Sequence, residues 1–384
     1  MSALIQNRRL FALLVTLGLL LIQVILWHRM NTYVIQQDQL VTEELVQGEL
    51  RSTLKHAMKE AAADTILIRT GVFLQSLKFV NANEVHVSGY LWQHYENGYS
   101  DHLKPPEGLM GVILPEQVHA GDDLEPYVAY RHETADGEII GWYFEATLRQ
   151  QFDYKKFPFD HKTVWLRMWP RDFAANVALV PDLQSYDQTD TADVFGINEK
   201  IVLGEWDREN TFFDYQTFDY DTNFGIADYQ GKNGFPELHY NVVLKRKVGN
   251  AFIVYLRPWF LVAVLLFAAL LTVNRGDETQ QRHGFTTIDF IAACSALFFV
   301  IMLAHIQLRE QFAGSGIVYI EYFYLLMYVV LVVATANTYI FSSRESPALA
   351  WLHANDNLIV KLSYWPLLVA SMILVSVLIM TGLL

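Results

Sequence analysis

Hydrophobic and polar positions fall into two regimes along this chain. Residues 10–27 form a nearly continuous apolar run, with Arg8 and Arg9 before it and His28 and Arg29 after it. The run is long enough to cross a hydrocarbon core. No small-x-small cleavage pattern closes it, so an uncleaved anchor over residues 1–30 is expected, with a secretory signal peptide as the rival reading. Residues 31–65 change to a broken helical stripe in which Leu40, Leu45, Val46, Leu50 and Leu54 recur among Gln, Glu and Lys. This suits a helical stalk, or a helix lying on the next domain.

From 66 to 248 the period shortens to that of strands. Residues 72–80 and 85–95 alternate around a turn at Asn81, Ala82 and Asn83, and 141–148, 163–168, 177–180 and 238–247 read likewise. Many short strands with no long helical pattern between them predict an antiparallel β-sandwich of immunoglobulin-like type. Four long apolar segments then fill 249–384: 252–273, 285–306, 317–341 and 364–384. Backbone groups in lipid must be satisfied within the segment, so each is expected to span as a helix. Arg8 and Arg9 put the N-terminus in the cytoplasm by the positive-inside rule. Threading from there puts the β domain outside the inner membrane, and Arg275, Arg282, Arg344 and Lys361 on the cytoplasmic side.

Composition sharpens this picture. The net charge of −13 excludes nucleic acid as the expected partner, since phosphate binding needs clustered Lys and Arg. Twelve Asp or Glu against two basic residues crowd the stretch from Pro181 to Gln230. Within it Asp187, Asp190 and Asp193 are candidate calcium ligands, although no fixed calcium-loop spacing is present. No glycine-rich phosphate loop or metal-ligand spacing of His with carboxylate occurs, and the single Cys294 lies in an apolar run, so no enzyme chemistry and no other cofactor is expected.

Three motifs carry a resemblance. Phe157, Pro158, Phe159 and Asp160 follow Phe152, Asp153 and Tyr154. About ninety residues on, the run from Tyr240 ends in Lys245, Arg246 and Lys247, with Pro258 early in the following apolar segment. Gly89 to Trp92 and Gly204 to Trp206 add two strand-like matches. Over residues 66–384 this order resembles the pentameric ligand-gated ion channels, the Cys-loop receptor superfamily. The two cysteines that flank the Phe-Pro-Phe-Asp loop in animal receptors are absent, with Gln151 and Thr163 in their neighbourhood, a departure that prokaryotic members share.

The resemblance implies a homopentamer in a lipid bilayer, with a pore lined by the segment 285–306. A small-molecule or ionic ligand held between outer domains would open it. Phe157, Pro158, Phe159, Asp160, Arg246 and Pro258 would then form the gating interface, and Tyr215, Phe218, Tyr220 and Tyr229 would contact the ligand. In the pore segment Asp289, Ser295, Phe299, Met302 and Ile306 are candidates for lining and selectivity, with Asp277 and Glu278 just ahead as a second acidic ring. Asp289 has a rival reading as a residue satisfied by the helix N-terminal dipole. The second functional reading is a membrane-anchored sensor or scaffold that does not conduct, motivated by the apolar character of 285–306.

Overall fold

The computed structural model describes residues 2–32, 39–57, 65–97, 104–106, 108–118, 124–171, 176–187, 189, 194–225, 234–273, 286–312, 315–342 and 357–384. The chain forms two compact units. One comprises Tyr33–Phe152 and His161–Lys245, the other Met1–Thr32, Asp153–Asp160 and Arg246–Leu384.

The first unit is built of strands β1 (Ile66–Phe79), β2 (Glu84–Glu96), β3 (Val112–Ile113), β4 (Gln117–Val118), β5 (Tyr127–Thr134), β6 (Gly137–Arg149), β7 (His161–Pro170), β8 (Val177–Pro181), β9 (Trp206–Thr217) and β10 (Pro236–Arg246). They make a six-stranded sheet, β4-β6-β2-β1-β8 with β5 also on β6, and a four-stranded sheet, β3-β7-β10-β9. Period-two burial explains the strands: in β2 Val85, Val87 and Leu91 turn inward and are shielded from water. Phe79 of β1 packs on Trp206 of β9 with centroids 5.1 Å apart, joining the two sheets' apolar faces. The expectation of purely antiparallel pairing is corrected at one edge, where β8 runs parallel to β1 from Ile66↔Val177 to Thr70↔Pro181. After β7 the chain passes from the four-stranded to the six-stranded sheet and reaches the free edge of β1 in the same direction.

Residues 31–65 contain one described helix, α2 (Glu43–Ala57). A free-standing stalk is not what forms. Leu40 bridges Phe213 of β9, Gln184 Nε2 donates to Glu43, and Thr189 donates to the Val41 carbonyl. Val46, Leu50 and Leu54, spaced by four, make the buried face, whereas Leu45 falls off that face and is exposed.

Asp182 is the polar anchor of this unit. Its carboxylate accepts from Trp92 Nε1 at 2.8 Å and from Ser185, and lies 3.0 Å from His94 Nε2. Burial alone would raise its pKa, but these hydrogen bonds outweigh burial and hold it at about 2.

Among the described residues the second unit contains five helices long and apolar enough to cross a membrane: α1 (Ser2–Met30), α3 (Val248–Thr272), α4 (Thr287–Gln311), α5 (Tyr319–Ser342) and α6 (Leu358–Met380). They suggest a membrane-embedded, multi-pass protein. Two segments differ from their sequence bounds for polar reasons. Helix α6 starts at Leu358 rather than 364: Lys361, which interrupts the apolar run, sends Nζ to the Val273 carbonyl (2.7 Å) and stays within the helix. Helix α4 runs on to Gln311, where Arg309 donates to the Ser315 and Gly316 carbonyls and to Glu321.

Helix α1 belongs to this unit rather than standing apart as an anchor. Gln23, 1 % exposed, donates to Ser376 Oγ on α6 (2.8 Å) and Tyr319 Oη on α5 (3.2 Å). Tyr319 and Ser376 share a 2.6 Å hydrogen bond, and Trp27 Nε1 donates to Tyr319 Oη at 2.8 Å.

Two outcomes follow from these polar groups. The Asp182 pKa is depressed on folding, so its contribution is complete above about pH 4 and lost as pH falls toward about 2. The Asp182→Asn variant should flatten the acid limb of unfolding followed by Trp fluorescence. An unchanged limb would remove Asp182 from that role. Gln23→Leu should lower the melting midpoint of the solubilised protein by the equivalent of about 1 kcal/mol, two interhelical hydrogen bonds at about 0.6 kcal/mol each.

Candidate functional site

The Phe-Pro-Phe-Asp loop leaves the strands after Phe152, contributes Asp153–Asp160 to the helical unit, and returns at His161. Its shape is set locally: Asp153 Oδ1 accepts from Lys155 N (2.8 Å), and the Phe157–Pro158 peptide is cis. Phe157 then packs against Phe312 (4.6 Å) and edge-on to Tyr255 (5.5 Å), and Tyr154 against Phe312 (5.1 Å). Phe159 faces Trp27 (5.9 Å) and Tyr319 (6.1 Å), while Tyr319 N donates to the Lys155 carbonyl at 2.8 Å.

At the end of the loop a bidentate ion pair forms. Arg246 Nε donates to Asp160 Oδ1 at 2.7 Å and its second nitrogen to Oδ2 at 3.2 Å. Both residues are 3 % exposed, and the guanidinium also lies 4.8 Å above the Phe157 ring. The structure therefore brings Phe157, Phe159, Asp160 and Arg246 into one cluster. Pro258 lies about three turns into α3, two residues beyond a π-helical turn at Phe252–Leu256. Proline has no N–H to give to the Val254 carbonyl four residues back, and one residue on the Tyr255 carbonyl accepts from Tyr324 Oη at 2.5 Å.

A second cluster lies on one face of the four-stranded sheet. Cross-strand register pairs His239 with Arg167 and places Glu237 beside Trp169. Arg167 is held by Glu116 (2.5 Å) and lies 3.7 Å from Glu237. Its guanidinium stacks over Phe218 (4.9 Å) and Trp169 (5.6 Å). Buried Glu237 accepts from Trp169 Nε1 (2.7 Å) and Tyr220 Oη (2.6 Å), and Phe224 closes against Trp169 and Tyr220 at 6.3 and 5.8 Å. Burial raises the Glu116 carboxyl although Arg167 lowers it, and burial pushes the His239 imidazole down to about 4. Burial also raises the Tyr220 phenol, with its bond to Glu237 adding to the shift. The cluster thus holds two carboxylates, one guanidinium and four aromatic rings, with Glu237 and His239 buried and Phe224 exposed.

Of the aromatic ligand candidates, Phe218 and Tyr220 belong to this cluster. Tyr215 does not, because its hydroxyl donates to the Leu179 carbonyl of β8 and its ring is packing. Tyr229 lies outside the described residues. Arg167, Glu116 and Glu237 were not singled out from sequence. The available signal was the polar series Glu237, His239, Asn241 at every second position of an otherwise apolar strand.

Helix α4 has a buried face of Phe290, Cys294, Ile301 and Leu308. At about 100° per residue, Ser295, Phe299 and Ile306 fall on the opposite, exposed face, with half-buried Met302 on its flank. Ser295 returns its hydroxyl proton to the Ile291 carbonyl. Asp289 is the third residue of a capping box with Thr286, accepting from Thr286 N at 2.8 Å and Oγ1 at 2.7 Å, which is the helix-terminus role. Asp277 and Glu278 lie outside the described residues, as do Asp190 and Asp193. Asp187 is exposed, and among the described residues no group of three His, Cys, Asp or Glu is placed to hold a metal ion.

The buried pair gives a direct check. Asp160→Ala or Arg246→Ala alone should cost about 3–5 kcal/mol, because each leaves an uncompensated buried charge. The double variant should cost clearly less than the sum, read from melting of the solubilised protein. Strict additivity would show that the pair is not coupled. Against known proteins, no family model matches the chain and no curated protein matches it.

Proposed function

We propose that this chain is one subunit of a homopentameric ligand-gated ion channel. In this reading the two sheets form an immunoglobulin-like sandwich outside the inner membrane, α3 to α6 form the four-span channel bundle, and α1 enters from the cytoplasm. The observation that carries it is the Asp153–Asp160 loop. It departs from and returns to the strands, yet its aromatic residues and Asp160 are packed among helical residues and locked to Arg246. A shift of β6 or β7 is thereby transmitted covalently to the residues around Phe312, at the end of α4. A buried pair of this geometry favours one arrangement over another, which is the requirement for a two-state gate.

The Arg167–Glu237 cluster is the ligand site in this reading. Carboxylates outnumber the guanidinium there, so the site favours a small amine that displaces Arg167 from the faces of Phe218 and Trp169. The exposed face of α4 lines the pore, with Phe299 and Ile306 as a constriction that dewets when closed. Asp289 has its carboxylate at the helix end, exposed, and five copies would favour cations while still capping the helix.

One observation favours a non-conducting sensor instead: apart from Asp289 at its start and Ser295, the exposed α4 face from Ile288 to Ile306 is apolar. Native mass spectrometry of the purified protein should give five copies. Planar-bilayer recording with a panel of primary amines should give cation current, enlarged at least tenfold by Phe299→Ser. A monomer, or silence from both proteins in every amine, would leave the sensor as the better account.

A further inference from the structure

The helical unit contains a cavity of about 470 Å³ whose accessible lining is wholly apolar. It runs along α3 from Phe252 to Phe260, about 12 Å at the helical rise, with Leu20 and Trp27 of α1 on one side and Trp365 and Met372 of α6 on the other. Its lining therefore needs α1. Midway along it stands Arg257, exposed, inside an apolar span, with no hydrogen-bond or ion-pair partner among the described residues. A guanidinium within a membrane segment is costly unless it reaches water or an anion. Its long stem lets the head move toward the headgroup level while the methylenes stay in the apolar wall.

An apolar cavity of this length and a cation at its edge call for the same molecule. We infer that the cavity is a specific site for a phospholipid with an anionic headgroup, one acyl chain lying between α1, α3 and α6 and the phosphate held by Arg257. Charge complementarity selects the headgroup, because a zwitterionic lipid brings its own cation to compete with the guanidinium. The inference does not depend on whether the chain conducts ions.

Native mass spectrometry of the full chain, with phosphatidylglycerol or phosphatidylcholine of identical chains added in turn, reads this directly. The expected result is one phosphatidylglycerol retained per chain, preferred at least tenfold. Arg257→Gln should bring the preference close to one while both lipids still bind, and Arg257→Lys should keep most of it. Leu20→Trp, at the exposed rim, and Met372→Trp should each reduce binding of both lipids by filling the cavity. Should either filling variant fail to fold, the other carries that arm. Glycerol phosphate at the same concentration should neither bind nor raise the melting midpoint. Preference unchanged in Arg257→Gln, or lipid binding unchanged in both filled cavities, overturns the inference. So does glycerol phosphate binding as well as the lipid, which would mark a free-phosphate site. An oligomer that dissociates on Leu20→Trp without having retained lipid would place a second copy in the groove and overturn it as well.

Discussion

The arrangement depends most on the ion pair between Asp160 and Arg246. Removing two charges from water is expensive, and a pair this buried persists only when the geometry is close and other groups share the burden. Here the carboxylate takes two nitrogens of one guanidinium, and the guanidinium face rests on Phe157. The pair joins the last residue of the Asp153–Asp160 loop to the last residue of β10, so the two points where strands hand over to the helical unit are tied to each other. Phe157, Tyr154 and Phe312 add apolar contact around a polar bond that would otherwise be costly.

Much of this was legible from the residues. The five apolar spans, the principal strands and the turn at Asn81 to Asn83 follow from period and length, and the structure extends most of them by one to several residues at polar ends. What periodicity could not give was the partner of each face. The stripe Val46, Leu50, Leu54 predicted a helix, either a stalk or one lying on the next domain, but not which strand the segment would meet, where Leu40 bridges β9. The parallel pairing of β8 was hidden for a similar reason, since a five-residue buried strand carries no signal of direction.

The candidate sites divide in the same way. The Phe157–Asp160 loop is a contiguous motif, so its residues could be named in advance. The Arg167 cluster is assembled from β7, β10, the segment before β4 and the chain beyond β9, and no sequence spacing joins Glu116 to Glu237. Aromatic abundance near residue 220 pointed to the neighbourhood but misassigned Tyr215, whose hydroxyl serves β8. It also hid that the aromatic faces of Phe218 and Trp169 already hold a cation, Arg167. A ligand at this place must therefore exchange with an internal group, and its affinity is the difference between two similar interactions rather than the whole of one. In the proposed reading a ligand bound in this way would need a correspondingly high concentration and would release readily, which suits a reversible switch.

Asp289 and Gln23 show how one polar residue in an apolar helix acquires a structural role before any other. Asp289 closes a capping box with Thr286, and in doing so fixes where α4 begins and which side chains share its exposed face. Gln23 donates to Tyr319 and Ser376 and so fixes the rotation of α1, turning Trp27 toward Tyr319 and leaving Leu20 beside the apolar cavity. Inside a bilayer, where apolar contact scarcely distinguishes one helix neighbour from lipid, such hydrogen bonds carry more of the orientational information than the many leucines around them. The register of a helix is then set by its rarest residues, and the apolar majority follows.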